Sequence, residues 1–154
     1  MARLELLPEM ERITLEQLDC PSFETVPWVD GPPLNQRRVA IISTAGLHKK
    51  DDRPFSFDTN DAYRIIPGDI KASDLVMSHV SANFDRSGFQ QDWNVMFPLD
   101  RLNEFKEQGL IGSVADFHYS FMGAIDPVPM EAKAREVAKL LLKDKVDAAL
   151  LVPV

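Results

Sequence analysis

Six polar residues crowd the stretch after Leu75-Val76-Met77: Ser78, His79, Ser81, Asn83, Asp85 and Arg86. They supply an imidazole that titrates near neutral pH, two hydroxyls, an amide, a carboxylate and a guanidinium. Such a set can move a proton, pair with an anion or donate hydrogen bonds to a ligand. Leu75-Val76-Met77 is short enough for a buried strand, and the loop beyond a strand's carboxyl end is where open α/β sheets hold ligands. Plainer readings cover the same residues. The stretch also fits a capped surface loop, and Asp85 and Arg86 a surface ion pair worth under about 1 kcal/mol.

A loop of this kind needs a sheet to place it. The continuous apolar run Val39-Ala40-Ile41-Ile42 predicts a strand over Arg38–Thr44, buried on both faces as a central parallel strand is. Ser43, Thr44, Ala45 and Gly46 then turn the chain, and Gly46 permits positive φ and close approach of a ligand. Further strands are predicted at Tyr63–Ile66, Asp74–Ser78, Trp93–Phe97 and Ala148–Val152. Ile111–Val114 and His118–Phe121 are short segments of uncertain type. A helix is predicted over 98–108, with Leu99, Leu102 and Phe105 on one face and Gly109 as its cap. Another runs from about Met130 to Lys143, where Ala134, Val137, Ala138, Leu141 and Leu142 recur at helical spacing. Strands alternating with helices predict an α/β fold, a three-layer Rossmann-like domain whose mainly parallel sheet contains Val39–Ser43, Leu75–Ser78 and Ala148–Val152. Their carboxyl ends then bring Ser43–Gly46, His79–Arg86 and Pro153-Val154 into one crevice, which His118-Tyr119-Ser120 can join.

Residues 1–36 read as an N-terminal arm, and 37–154 as the α/β domain. Thr14 can start a short helix that Pro21 ends, Pro27, Gly31, Pro32 and Pro33 make an extended connector, and Trp28 is expected to pin it to the body. Residues 49–62 read as a long polar loop.

The totals exclude several classes. With 154 residues the chain suits one domain and one core. A net charge of −7, with the basic group His48-Lys49-Lys50 followed at once by Asp51-Asp52, argues against nucleic acid. No apolar run approaches the ~20 residues that span a membrane, and the acidic start MARLELLPEMERITLEQL is not expected to be a signal peptide. The single cysteine, Cys20, excludes an internal disulfide and a cysteine-based metal cluster, and fits a reducing cytoplasm. His48, His79 and His118 lack the short spacing of a zinc site, so no metal is expected. His48 reads as solvated, and His118 and Tyr119 as packing residues. There is no GxGxxG or other glycine-rich phosphate loop to suggest a dinucleotide.

The stretch SHVSANFDR at Ser78–Arg86 resembles the selenoprotein B subunit of the glycine/sarcosine/betaine reductases and the related D-proline reductase subunit. VAIISTAGLH at Val39–His48, YRIIPGD at Tyr63–Asp69, NVMFPLDRL at Asn94–Leu102 and HYSFMG at His118–Gly123 resemble it too, in the family's order. So does VDAALLVPV at Val146–Val154. In that family the next residue is usually selenocysteine or cysteine, followed by a short stretch with a further cysteine. The resemblance thus implies a catalytic chalcogen directly after Val154, and a domain incomplete at its C-terminus, as a UGA codon read as stop or a frame ending there would leave it.

The reaction implied by the resemblance is reductive cleavage of a C–N bond beside a carboxylate, in glycine, betaine, sarcosine or D-proline, with a dithiol as final electron donor. A nucleophile of that kind works as its anion, so a cation or hydrogen-bond donors should flank it. His79 is the candidate for that role or for protonating the leaving amine. Arg86 can pair with a substrate carboxylate through its planar fork, and Asp85 completes the catalytic set. Ser43, Thr44, Gly46, Ser81 and Asn83 are the candidate substrate-binding residues. No cofactor is expected in this chain itself. The implied partners are a small amino acid or betaine-type substrate, other reductase subunits and the dithiol donor. An unpaired edge at Ala148–Val152 suggests a homo-oligomer. The competing class is a non-catalytic subunit that uses the same crevice to bind a small carboxylate or a partner chain.

Overall fold

The computed structural model describes residues 4–17, 22, 24–56, 63–81 and 84–154. Its centre is β1, Arg38–Ser43, the continuous apolar run, with Ala40 and Ile41 fully buried. Parallel to it over its length lies β7, Ala148–Val152, from Val39 opposite Ala148 to Ser43 opposite Val152. The other side of β1 is shared by two short parallel strands, β5 (Ser113–Val114) and β6 (Phe117–Ser120). Beyond β6, β3 (Arg64–Pro67) runs antiparallel. The result is a mixed α/β fold around a curled, mostly parallel sheet. It contains Val39–Ser43 and Ala148–Val152 as neighbours.

Between β5 and β6 the register slips. From Arg38 to Ile42, β1 advances four residues while its partner advances six, from Ser113 to Tyr119. Ala115 and Asp116 form the bulge, and a bulge breaks the ladder locally. His118 repairs it: its Nδ1 accepts the Ile41 N–H at 2.9 Å, in place of a main-chain carbonyl.

Adjacent residues of a strand face opposite sides, and β1 serves two apolar clusters in this way. Val39 and Ile41 pack with Phe97, Leu99, Leu102 and Ile111, drawn from α3 (Leu99–Glu107) and its flanks. Ile42 packs against Tyr119, Phe121 and Val137, with Leu140 and Leu141 of α4 (Glu131–Lys143). Arg38 fastens the end of α4 to the sheet. Asp144 Oδ1 accepts from its Nη2 at 2.6 Å, while Asp144 Oδ2 accepts the N–H groups of Asp116 and Phe117 at the bulge.

Several expectations need correction. Leu75–Met77 forms β4, but it pairs antiparallel with β2 (Leu47–Lys49) in a separate two-stranded sheet and is no part of the main one. Only Leu75 of the three is fully buried, so the apolar run needs one covered face, which an antiparallel pair provides. Lys49 belongs to β2, so the long loop begins after it; residues 57–62 of that loop lie outside the described residues. Trp93–Phe97 is no strand. Asp92 Oδ1 accepts from Asn94 N at 2.9 Å and winds Trp93–Val95 into a 3₁₀ turn, a local side-chain bond competing with extended structure. The N-terminal helix α1 spans Glu9–Glu16 behind Pro8, with Thr14 inside it rather than at its start; Pro21 is outside the described residues. Trp28 is 75% exposed with the Arg37 guanidinium 5.9 Å from its ring, so burial does not pin the connector there.

Candidate functional site

The loop after β1 and the loop after β4 do meet, by way of the small sheet. Gly46 has φ +66° and joins β1 to β2. Its carbonyl accepts the Ser78 N–H at 3.0 Å, extending the β2–β4 pairing to the start of the polar loop. A side chain at Gly46 would lie 2.5 Å from Met122 Cε and 3.2 Å from the His79 backbone, so only glycine lets His79 sit this close.

The chain's last residues reach the same place. Thr44 Oγ1 accepts the Val154 N–H at 2.8 Å, and the Thr44 carbonyl accepts from Gly123 N. A Cβ on Gly123 would come within 2.5 Å of the Val154 carbonyl oxygen. His79, Ser81, Phe84, Gly123, Ala124 and Val154 line a cavity of about 280 Å³. Beside it opens a larger apolar groove of about 1410 Å³, lined by Leu4, Leu7 and Met10 near the N-terminus and by Phe84, Asp85 and Pro153.

His79 is 5% exposed. Burial, and then the charge of Arg86, push its pKa below the ordinary histidine value, so the ring is neutral at pH 7. Its Nδ1 accepts the Ser81 N–H at 3.3 Å, which leaves the proton of the neutral ring on Nε2. That Nε2 is buried without a partner among the described residues. Phe84 lies over the imidazole, ring centroids 4.5 Å apart. The neutral ring can donate a hydrogen bond or accept a proton, but it is not a standing cation at neutral pH.

The remaining candidates differ in what they face. Arg86 Nη2 donates to the carbonyls of His79 at 2.6 Å and Ser81 at 3.3 Å, clamping the loop. Asp85 Oδ1 accepts the Ser87 N–H at the start of the short helix α2 (Ser87–Gln91), which holds its pKa below the usual carboxylate range. Asp85 lines the groove as an ionised carboxylate rather than pairing with Arg86. Ser43 is fully buried and its Oγ accepts from Ala45 N, so it faces no cavity. Thr44 holds Val154. Asn83 and Cys20 lie outside the described residues.

His118 and Tyr119 are core residues, as expected. His48 is a correction. It is 3% exposed, and its Nδ1–H donates to the Lys49 carbonyl at 2.7 Å. Its neighbour Leu47 is fully buried as well, so this part of β2 is covered on both faces, and only from Lys49 on does the strand reach the surface. Phe84, Gly123 and Ala124 were not anticipated. The signals for them were slight: one aromatic in a polar loop, and a small pair just past β6. No group of His, Cys, Asp or Glu among the described residues could hold a metal ion, and no helix among them is long and apolar enough to cross a membrane.

Comparison with known proteins gives the context. The family model of glycine/sarcosine/betaine reductase selenoprotein B matches residues 11–154. The chain is 32% identical over 120 residues to the D-proline reductase subunit gamma of Acetoanaerobium sticklandii, covering 77% of this chain and 49% of that one. It is 29% identical over 141 residues to the glycine reductase complex component B subunit gamma of Symbiobacterium thermophilum, covering 85% of this chain and 32% of the relative. With the betaine reductase complex component B subunit beta of Peptoclostridium acidaminophilum the identity is 27% over 123 residues, covering 77% and 28%. The chain thus spans about half the length of the first relative and about a third of the others. No solved structure matches it. On the family match, which takes in all but the first ten residues, the chain belongs to the glycine/sarcosine/betaine reductase selenoprotein B family.

Proposed function

We propose that this chain forms the part of an amino-acid reductase subunit that frames the reacting crevice, with the redox residue of the longer protein directly after Val154. The observation that carries this is that Val154 and His79 line one cavity, the first held by Thr44 and Gly123, the second by Gly46 and Arg86. A selenolate or thiolate at that point would supply the nucleophile for reductive C–N cleavage, with electrons from a dithiol donor. His79 Nε2–H is the donor that favours such an anion without itself being charged. Arg86 keeps the loop in place through Nη2 and acts on the crevice by positioning His79 and Ser81, since it lines neither the cavity nor the groove itself. Ionised Asp85 on the neighbouring groove favours an ammonium-bearing substrate or product. The substrate class is a small amino acid or betaine, the partners are other reductase subunits, and the setting is the cytoplasm.

The finer fold reading follows the same line. A three-layer, Rossmann-like arrangement is supported by the two clusters on either face of β1, one with α3 and one with α4. Residues 1–36 are then an arm on that domain, walling the groove.

The test is reductase assay of the chain carried past Val154 through Cys and the family's following residues, with its partner subunits and a dithiol. Amine release from glycine, sarcosine or betaine, or reductive ring opening of D-proline, is expected, falling at least tenfold in His79→Ala. No turnover of any of the four, with the protein folded, would favour the competing reading of a subunit that only binds.

A further inference from the structure

Phe84 belongs to neither apolar cluster of the core, yet it is placed closely. Its ring lies 4.5 Å from the His79 imidazole, tilted by 35°. With Val154 it lines both the 280 Å³ cavity, which His79 shares, and the 1410 Å³ groove, which His79 does not reach. His79 is 95% buried, and its Nε2, like those of His48 and His118, finds no partner among the described residues, but of the three only His79 lines the cavity or the groove. An unpaired polar nitrogen under an aromatic face is costly to folding, and such groups persist where a site uses them.

We infer that Phe84 is the specificity-determining wall of this site, closing His79 off from the groove so that a ligand meets the imidazole only from the side of the small hollow. That hollow, of about 280 Å³, is open to solvent on its outer side, so a bulky apolar group is kept from the imidazole by the Phe84 ring and not by enclosure. The groove, lined by Leu4, Leu7, Met10, Val95 and Met96, would accept a bulkier apolar group, but Phe84 stands between such a group and His79. The aromatic face also keeps water off Nε2, which leaves its N–H unoccupied for a ligand. The inference deepens the reductase reading of the same cavity, but its test is independent of turnover.

That test is acylation by diethylpyrocarbonate, which attacks neutral imidazole nitrogen. The rate at His48, His79 and His118 is followed by peptide mass in the full 154-residue chain. All three are buried, so all should react slowly in the wild type. Phe84→Ala should raise the rate at His79 at least tenfold and leave the other two slow. Phe84→Leu, which keeps bulk without an aromatic face, should raise it less. Should Phe84→Ala unfold, all three rates climb together and Phe84→Leu decides: a selective rise at His79 supports the wall, and no rise contradicts it. A wild-type His79 that reacts like free histidine would overturn the inference outright. Unchanged acylation removes it even if reductase activity is found, and absence of activity leaves it standing.

Discussion

Two buried histidines in this chain are neutral for different purposes. Both leave Nε2 unpaired among the described residues, but His79 stands at a cavity, whereas His118 is a piece of the sheet, its Nδ1 accepting the Ile41 N–H. Burial lowers the His118 pKa to about 4. A depressed histidine means that the unfolded chain binds the proton more readily between about pH 4 and the ordinary value of 6.5. Stability from this group is therefore complete above pH 6.5 and is lost as pH falls toward 4, by roughly 3 kcal/mol at about 1.4 kcal/mol per unit. Protonation also removes the acceptor that closes the ladder. Urea unfolding between pH 7 and 4 should show this slope, and His118→Gln should flatten it. A wild-type slope unchanged in that variant would show that His118 is not the group being titrated. The sequence already sets His79, a site candidate, apart from His118, a packing residue, but only the register slip between β5 and β6 reveals what His118 does.

At the scale of elements, the sheet and the helices were the legible part. The runs Val39–Ile42 and Ala148–Val152 pair as neighbours, and Leu99 and Leu102 of α3 and Val137 and Leu141 of α4 pack as their spacing predicts, whereas Phe105 and Leu142, expected on the same faces, are 42% and 74% exposed. Three-residue runs carry too little pattern to choose a sheet. Leu75-Val76-Met77 reads equally well as a parallel strand, yet its antiparallel pairing with Leu47–Lys49 brings the His79 loop to the β1 loop by a different route. Gly46 makes that route possible. Gly46→Ala should cost roughly 2 kcal/mol through positive φ and the clash with Met122, and should displace His79, shifting its ring signals in NMR. Intact ring signals in a folded Gly46→Ala protein would contradict the packing. Asp144 joins α4, β1 and the bulge. Burial would raise its pKa, but the Arg38 hydrogen bond and two backbone N–H groups outweigh this and hold it low. Asp144→Ala, which strands these donors, should lower stability by about 3 kcal/mol in denaturant titration. A loss below about 0.5 kcal/mol would mean that the pair behaves as a surface ion pair.

The whole molecule presents more apolar surface than its core needs. β7 is paired only to β1 among the described residues, with Leu150 38% and Leu151 67% exposed, and α1 buries none of its residues fully. An unpaired strand edge beside exposed leucines favours association. Light scattering at tens of micromolar should report a dimer or larger species, and Leu151→Lys should shift it toward monomer; monomer alone in the wild type would remove this expectation. The central claim concerns the cavity where His79 and Val154 meet. It is tested most directly by the pH dependence of thiol alkylation in a chain that continues from Val154 through a Cys and the family's following residues. The account predicts an apparent thiol pKa below the ordinary value of about 8.5, moving back toward it in His79→Ala. A thiol that titrates like free cysteine in both proteins would contradict it.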